Sequence, residues 1–299
     1  MSRATYSHID EIPVATASNN ITPGCLVLEG GAFRGLYTQG LLDTLSLYDI
    51  NFSCTIGVSA GALGGMNYVS GQIGRSALIN IGYRHDDRYV GARAFLNSRS
   101  ILDVGFLTED RGILEPFDWE RFNDPKRRFV AVATNCLTGE PTYFEKGKCE
   151  NLPLAIRASA TMPLLAPMVE VDGVPHLDGA CSCKVPYEWA LEQGYEKIVV
   201  IRTREVTYRK PEKESAIAAR VYRDYPAFVK TLNGVNAYYN HQCDEIERLH
   251  SEGRIYRFVP SEPITIGKIE GDVEKLGDLY WLGCYDCMEH IDELRAYLA

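Results

Sequence analysis

The sequence predicts an α/β protein with a mostly parallel sheet, and three observations support this prediction. First, residues 25–29 and 197–201 are short apolar runs, which are typical of strands buried on both faces. Second, the first run continues through a glycine-rich loop into a segment whose leucines have near-helical spacing, as at the start of a β-α-β unit. Third, the apolar run at residues 52–56 leads directly into Gly57-Val-Ser-Ala-Gly61, a sharp strand-to-helix turn.

The composition fits one large globular domain. The chain has 299 residues, of which 45% are hydrophobic and 24% are charged, so it can bury a sizeable core. Its formal net charge of −9 argues against a protein-wide basic surface, and we expect no nucleic-acid partner. Residues 1–20 lack the apolar run of a secretion signal, and no stretch approaches the roughly eighteen apolar residues of a membrane span.

The nine cysteines are an odd number spread through the chain, and several lie in predicted strands. This pattern favours buried thiols in a reducing cytoplasm over a disulfide framework. A zinc site would require Cys181 and Cys183 to meet Cys284 and Cys287, but the first pair adjoins Lys184 and the second lies in a helical pattern. We therefore expect a cytoplasmic protein without a metal or another cofactor.

The chain divides into three parts along its length. Residues 1–24 are polar and lack periodicity, which predicts a flexible N-terminal arm. Residues 25–202 predict the core, in which the charged segment at about 75–128 is either a cap of short helices or a plain surface insertion. Residues 203–299 predict a mostly helical part that packs on the same domain.

Local patterns predict the remaining elements. Strands are expected at 129–134, 142–144, 168–171, 174–177 and 255–259. Helices are expected at 60–72, 152–160, 189–193, 214–252 with an interruption at Tyr225-Pro226, and 284–298. The Asp172-Gly173 dipeptide predicts a tight hairpin turn whose second strand ends at Asp178-Gly-Ala180.

Ser59 is the candidate nucleophile. Gly57 and Gly61 lie two residues before and two residues after it, and they remove the side chains that would collide across the turn. The helix that follows directs its N-terminal dipole at the serine and at any oxyanion formed beside it. On its own, the pentapeptide also fits a small-residue turn that packs a strand on a helix.

Residues 30–35, Gly-Gly-Ala-Phe-Arg-Gly, are the candidate oxyanion loop. The loop follows the first strand, so its N–H groups would lie at the same end of the sheet as Ser59 and could converge on one oxygen. A dinucleotide site fits less well, because Ala32 occupies a glycine position and the expected acidic residue is missing after the second strand. Arg34 either pairs with backbone carbonyls of the loop or meets an anionic head group.

Asp178 is the candidate base. A carboxylate within hydrogen-bond reach of the serine could take its proton directly if burial raises its basicity, although the Asp-Gly pair also fits a simple turn. A histidine usually follows the acid in such sites, but the downstream histidines lie in charged helical segments: His241, His250 and His290. His176 would share the face of Asp178 and either touches the site or packs within its strand.

Together, the segments Glu29-Gly-Gly-Ala-Phe-Arg-Gly35, Gly57-Val-Ser-Ala-Gly61 and Asp178-Gly-Ala180 resemble the patatin-like phospholipase family. Ala133-Thr-Asn135 and Ala158-Ser-Ala-Thr-Met-Pro163 are also similar to that family, and the resemblance covers about residues 25–202. It implies a three-layer α/β/α sandwich and a Ser–Asp dyad without histidine. It also implies that Ser59 is the nucleophile, that Asp178 accepts its proton, and that the oxyanion loop contains Gly30, Gly31, Ala32, Arg34 and Gly35.

Two residues depart from the family pattern: Glu29 stands where Asp is frequent, and Ala32 stands where Gly is usual. The second departure matters only if this residue needs a positive φ. The predicted function is a serine lipid acyl hydrolase of the phospholipase A, lysophospholipase or carboxylesterase type. An acyltransferase with the same dyad and a non-catalytic lipid-binding protein are the alternatives. The expected partner is an acyl lipid or another hydrophobic ester, with peripheral membrane contact through Phe95-Leu96 or Phe106-Leu107.

Overall fold

A largely parallel sheet forms the centre of the protein in the computed structural model, which describes residues 5–91, 105, 116–212 and 214–299. The strands are β1 (Ala15–Thr16), β2 (Thr22–Leu28), β3 (Phe52–Val58), β4 (Gln72–Ile73), β5 (Arg128–Asn135), β6 (Pro141–Glu145), β7 (Val169–Val171), β8 (Val174–Asp178), β9 (Ile198–Ile201) and β10 (Tyr256–Phe258). The helices are α1 (Gly35–Leu47), α2 (Ala60–Val69), α3 (Arg75–Gly82), α4 (Trp119–Phe122), α5 (Leu152–Ser159), α6 (Tyr187–Glu192), α7 (Ala216–Val221), α8 (Pro226–Ser251), α9 (Val273–Glu289) and α10 (Ile291–Leu298).

The main sheet has the strand order β10-β9-β2-β3-β5-β8-β7, and β6 also pairs with β5. The five strands from β10 to β5 are parallel to one another, whereas β6, β7 and β8 run antiparallel to their neighbours. All five parallel strands are almost completely buried, because helices cover both faces of the sheet.

Along the central strands, successive side chains point alternately into two hydrophobic cores, one on each face of the sheet. In β2, Leu26 and Leu28 pack in the core on the side of α1, α2 and α9, whereas Cys25 and Val27 pack in the core on the side of α6 and α8. The period of two residues therefore separates two hydrophobic layers along the same strand. This three-layer α/β/α arrangement confirms the predicted fold class.

The described part of the N-terminal segment differs from the flexible arm that the sequence suggests. Strand β1 pairs with β4, and Ala17 donates a backbone hydrogen bond to the carbonyl of Gly71. The side chains of Tyr6 and Ile12 are 3% exposed and belong to the core on the α1 side. Isolated apolar anchors and a strand of two residues produce no detectable periodicity, which is why the sequence pattern did not show this packing.

The C-terminal helices also differ in their bounds from the prediction. The last helical region begins at Val273 rather than near Cys284, because the Asp272 side chain accepts the N–H groups of Glu274 and Lys275 as an N-cap. It is divided into α9 and α10 at His290. The predicted interruption at Tyr225-Pro226 is confirmed by the end of α7 and the start of α8.

The predicted cap is described only at its two ends, by α3 and α4. The Phe95-Leu96 and Phe106-Leu107 pairs, to which membrane contact was assigned, lie outside the described residues. Among the described helices, none combines the length and the apolar character that crossing a bilayer requires.

All nine cysteines are described, and each is a free thiol.

Candidate active site

Ser59 lies on a tight turn between β3 and α2. Its backbone has φ +56° and ψ −122°, a conformation that non-glycine residues rarely adopt and that costs about 1–3 kcal/mol. A Cβ added to Gly57 would lie 2.5 Å from the carbonyl carbon of Gly61, and one added to Gly61 would lie 2.6 Å from the carbonyl oxygen of Leu28. Both glycines are therefore required by backbone packing, and the turn has the geometry of a nucleophile elbow.

Ser59 and Asp178 are in direct contact. The Ser59 Oγ donates a hydrogen bond of 2.7 Å to the Asp178 Oδ2, and the Ala180 N–H donates one of 2.8 Å to the Oδ1. Ser59 is only 8% exposed and Asp178 only 4%. Because both carboxylate oxygens are held, the acid has one fixed orientation toward the hydroxyl.

The two residues meet because β3 and β8 pair with successive parts of the same edge of β5. Strand β3 pairs with β5 as far as Val58 opposite Val132, and β8 pairs with β5 from Asp178 opposite Ala133. Since β6 occupies the other edge of β5 at Ala133, β8 must lie on the edge that β3 vacates. The first residue after β3 and the last residue of β8 therefore meet at one point.

Burial raises the pKa of Asp178 above its ordinary value. The hydrogen bonds from Ala180 and Ser59 and the charges of Lys184 and Lys268 act in the opposite direction, but they do not cancel this effect. A carboxylate with a raised pKa is a stronger base, which is what direct proton transfer from a serine requires.

None of the six histidines, all of which are described, hydrogen-bonds to Ser59 or Asp178. His176 contacts the Thr142 hydroxyl at 3.2 Å and the Val174 carbonyl at 2.8 Å, and its ring packs edge-on against Phe144. Of its two predicted roles, the structure therefore shows strand packing.

The candidate oxyanion loop packs directly against the elbow. A Cβ added to Gly30 would lie 3.1 Å from the Ser59 Cβ, and Ala32 begins a single 3-10 turn, Ala32–Arg34. Within the described residues, the N–H groups of Gly31 and Ala32, and of Ala60 at the start of α2, donate no hydrogen bond. These N–H groups are therefore available as donors for a ligand oxygen.

Ala32 has φ +50°, so the position does require the conformation that the more usual glycine adopts without strain. The other departure from the family pattern, Glu29, is 1% exposed and accepts the Thr203 N–H at 2.5 Å.

Arg34 is 6% exposed, and its guanidinium makes no hydrogen bond with any described residue. It therefore does not hold the loop through backbone carbonyls, which was one of its two predicted roles.

Ser159 supports the elbow, a role that sequence reasoning did not assign. Its Oγ accepts the Ser59 N–H at 2.9 Å and donates to the Val132 carbonyl at 2.6 Å. It thereby connects the candidate nucleophile to β5, and it is fully buried. The only signal was its place in the Ala158-Ser-Ala segment, which carried the resemblance but no stated chemistry.

We expect Ser159→Ala to lower the free energy of unfolding by about 1–3 kcal/mol, because it leaves a buried N–H and a buried carbonyl without partners. Ester hydrolysis should fall at the same time, since the Ser59 backbone loses an anchor. Urea unfolding and steady-state kinetics measure both effects. Ser76→Ala is the matched control, because the buried Ser76 hydroxyl has no hydrogen-bond partner among the described residues. Equal effects of the two substitutions would contradict the supporting role.

A narrow cleft of about 60 Å³ opens beside Ser59. Its lining is mainly apolar. The apolar side chains come from five segments: Phe33 from the oxyanion loop, Leu63 from α2, Val90 from the segment after α3, Met162 from the segment after α5, and Ile269 from the loop before α9. Among the described residues that line it, Lys268 is the one cation. The cleft therefore gives Ser59 a mainly apolar surrounding. Among the described residues, no group of three or more side chains is placed to bind a metal ion.

The fold and the site together define an α/β protein with a nucleophile elbow and a serine–aspartate contact. The chain belongs to the patatin-like phospholipase family, whose model matches residues 26–191. A second model, described as a domain of unknown function (DUF6363), matches residues 225–299.

Two known proteins show the range of similarity. The chain is 30% identical over 183 residues to the uncharacterized protein YjjU of Escherichia coli (strain K12), which covers 60% of this chain and 51% of that protein. The chain thus spans about half the length of this curated relative. The crystal structure of VipD from Legionella pneumophila matches with a TM-score of 0.47 at 12% identity, over 98% of this chain and 71% of VipD.

Proposed function

We propose that the protein is a serine lipid acyl hydrolase that uses Ser59 and Asp178 as a catalytic dyad. The observation that carries the proposal is the buried 2.7 Å hydrogen bond between the Ser59 Oγ and the Asp178 Oδ2. It joins a nucleophile on a strained turn to a carboxylate whose pKa is raised by burial. Membership of the patatin-like phospholipase family supports ester bonds of lipids as the target.

The reaction follows from this geometry. Asp178 accepts the hydroxyl proton while the Ser59 Oγ bonds to the carbonyl carbon of the ester, and the loop N–H groups stabilise the resulting oxyanion. The intermediate collapses, the alcohol leaves with the proton, and the acyl group remains on Ser59. Asp178 then takes a proton from water as its oxygen attacks the acyl carbon, and it returns this proton to the Ser59 Oγ when the bond to Ser59 breaks and the fatty acid leaves.

The apolar lining of the cleft beside Ser59 supports a substrate that is apolar next to its ester bond. Ile269, which lines the cleft, is 45% exposed, and Leu164 and Leu165, which follow the lining residue Met162 in the chain, are 45% and 39% exposed. Contact of such residues with a lipid surface would cover them while a substrate enters. Peripheral membrane contact is therefore part of the proposal.

A fluorophosphonate probe tests the nucleophile. Its phosphorus should bond to the Ser59 Oγ with loss of fluoride, and peptide mass spectrometry should locate the label on Ser59. Ser59→Ala should remove both labelling and hydrolysis of p-nitrophenyl acyl esters, whereas Ser251→Ala, at an exposed residue, should retain them. Full hydrolysis by Ser59→Ala would refute the proposed nucleophile.

The products of the reaction and the labelling result together separate the two alternatives, an acyltransferase and a non-catalytic lipid-binding protein. Hydrolysis releases free fatty acid, whereas an acyltransferase would form a new ester when glycerol or a lysolipid is supplied as acceptor. Product analysis with and without the acceptor distinguishes these outcomes. A protein that is neither labelled nor active would instead be a non-catalytic lipid-binding protein.

A further inference from the structure

A groove of about 570 Å³ lies on the protein surface, separate from the cleft beside Ser59. Three segments line it: the N-terminal segment before β1, the segment between β10 and α9, and α9 itself. Among the described residues, none lines both the groove and the cleft. Small-ligand sites in proteins have volumes of about 300–1,000 Å³, so the groove has the size of a binding site of its own.

Hydrogen bonds fix the two other segments on α9. The Glu274 carboxylate accepts the Ser7 N–H at 2.9 Å and the Ser7 hydroxyl at 2.8 Å. Nearer the C-terminal end of α9, the Asp286 carboxylate accepts the Ser261 N–H at 3.0 Å and the Ser261 hydroxyl at 2.6 Å. Because each segment is held through both oxygens of a carboxylate, the walls of the groove have fixed positions, as is usual for small-ligand sites.

The floor of the groove, formed by the least exposed residues of its lining, is mainly apolar. Ile264, Ile266 and Leu279 are 5%, 8% and 6% exposed. The Tyr6 ring completes the floor, and a Cβ added to Gly277 would lie 2.2 Å from this ring, so the glycine makes room for it. A hydrocarbon or aryl group that covers these side chains would be removed from water, which favours a ligand with an apolar body.

Two aromatic rings of α9 also line the groove. The rings of Trp281 and Tyr285 are stacked, with their centres 6.0 Å apart and an angle of 27° between their planes. Tyr285 is 61% exposed, and no cationic side chain of the described residues lies over either ring. Because the face of such a ring attracts ammonium and guanidinium groups, the pair is an open contact surface for a cation from outside the chain.

The charged side chains of the lining favour the same kind of ligand. Asp278 precedes the two rings by three and seven residues, which places it on their face of α9, and Glu262 lies on the neighbouring segment. Within the described residues, neither carboxylate has a hydrogen-bond or ion-pair partner. Glu11 contacts the His8 Nδ1 at 2.8 Å, and Lys275 is the one lysine or arginine of the described lining. Since the two unpartnered carboxylates outnumber this lysine, the groove attracts positive charge.

We propose that this groove binds an organic cation, in which an ammonium or guanidinium group is attached to an apolar body. The body would cover the floor, and the cation would lie over the Trp281 and Tyr285 rings beside Asp278 and Glu262. A neutral compound with the same body would leave the ring faces and the carboxylates without a cation, and an anion would be repelled. This inference does not depend on the proposed hydrolase activity, because the groove and the cleft share no described residue.

Three compounds with the same phenylethyl body test the inference: 2-phenylethylammonium, the neutral 3-phenylpropanamide and the anionic 3-phenylpropanoate. In calorimetric titrations at neutral pH, the wild type should bind the ammonium compound about 10-fold or more tightly than the amide, as expected for cation–ring and charge-assisted contacts. It should bind the anion least tightly. Asp278→Asn should lower the affinity ratio of the ammonium compound to the amide, because it removes one carboxylate from the groove. Asp224→Asn, at a side chain that is 81% exposed and outside the described lining, makes the same change of charge and should keep the ratio.

A second pair of variants tests the aromatic wall. Tyr285→Ala should weaken binding of the ammonium compound several-fold, whereas Met288→Ala, at an exposed residue of the same helix outside the described lining, should leave it unchanged. Ser59→Ala should bind the compound as the wild type does. Equal affinity for all three compounds, or a ratio that Asp278→Asn leaves unchanged, would overturn the inference. Loss of binding in Ser59→Ala would also overturn it, because the cation would then lie at the candidate active site.

Discussion

Replacing Asp178 with Asn should lower kcat for p-nitrophenyl ester hydrolysis by about 10³-fold or more and should raise the free energy of unfolding at neutral pH. Activity falls because an amide cannot accept the Ser59 proton. Stability rises because the raised pKa of Asp178 means that its ionised form destabilises the folded state, and Asn carries no charge. The Ala180 N–H can still donate to the Asn Oδ1, so the geometry of the turn is retained.

Steady-state kinetics and urea unfolding of the same preparations check the two parts of this prediction. Ser59→Ala is the appropriate comparison, since it should remove activity to a similar extent while the buried Asp178 carboxyl group is kept. An Asp178→Asn protein that is less stable than wild type at pH 7, or that keeps more than a tenth of the activity, would show that the carboxylate has a structural role instead.

The pH profile of the wild type gives a second readout of Asp178. The dyad needs the ionised carboxylate, so kcat/KM should fall as acid protonates it, with a midpoint above the ordinary aspartate pKa of 3.8. Acid has the opposite effect on the contribution of Asp178 to stability. A carboxyl group with a raised pKa in the folded protein favours folding at low pH, and this contribution is lost as the pH rises through the folded-state pKa.

Local sequence patterns predicted the parts of the site that depend on neighbouring residues. The apolar run of β3, the glycines on either side of Ser59 and the loop after β2 are all contiguous, and each has a direct backbone reason. Gly57 and Gly61 illustrate this, since the approach of 2.5 Å that excludes a side chain involves residues only four positions apart. The sequence could therefore predict the turn on which Ser59, the candidate nucleophile, lies.

The arrangement of Ser59 and Asp178 depends instead on strand pairing over 119 residues. The hairpin that ends at Asp178 was predicted from the Asp172-Gly173 turn, but nothing in it indicates that β8 continues the edge of β5 where β3 ends. Ser159 was missed for the same reason, because its partners are the Ser59 N–H and the Val132 carbonyl. Without the family resemblance, the residues alone left the role of Asp178 open.

Charged residues outside the motifs were given no role by the sequence patterns. Lys184 served only as an argument against zinc, and residues 203–299 offered no motif beyond helical periodicity. A charge that is isolated in the sequence acquires meaning only when the fold places it among other charges. Burial has the same effect on carboxyl groups, and Asp43 provides a case outside the site.

Asp43 should make the protein less stable as the pH rises from about 4 to 7. Its buried carboxylate, on α1, accepts the Gly74 N–H and the Tyr280 hydroxyl, each at 2.9 Å, and burial raises its pKa from 3.8 to about 7. Between these values the unfolded chain releases a proton that the folded protein retains, so unfolding becomes easier by about 1.4 kcal/mol per pH unit. The loss amounts to at most roughly 4 kcal/mol and stays constant above pH 7.

Asp43→Asn should remove this dependence, because the neutral amide can still accept the Gly74 N–H and can donate to the Tyr280 oxygen. Urea unfolding at pH 4.5, 6 and 8 should show a variant whose advantage over wild type grows with pH and then levels off. Asp292→Asn, at a side chain that is 94% exposed on α10, controls for the loss of one negative charge. A constant difference between Asp43→Asn and wild type at all three pH values would mean that Asp43 is ionised throughout, with Gly74 and Tyr280 stabilising its charge fully. A growing difference would mean instead that this carboxyl group folds protonated and that its burial between α1 and α9 sets part of the protein's response to pH.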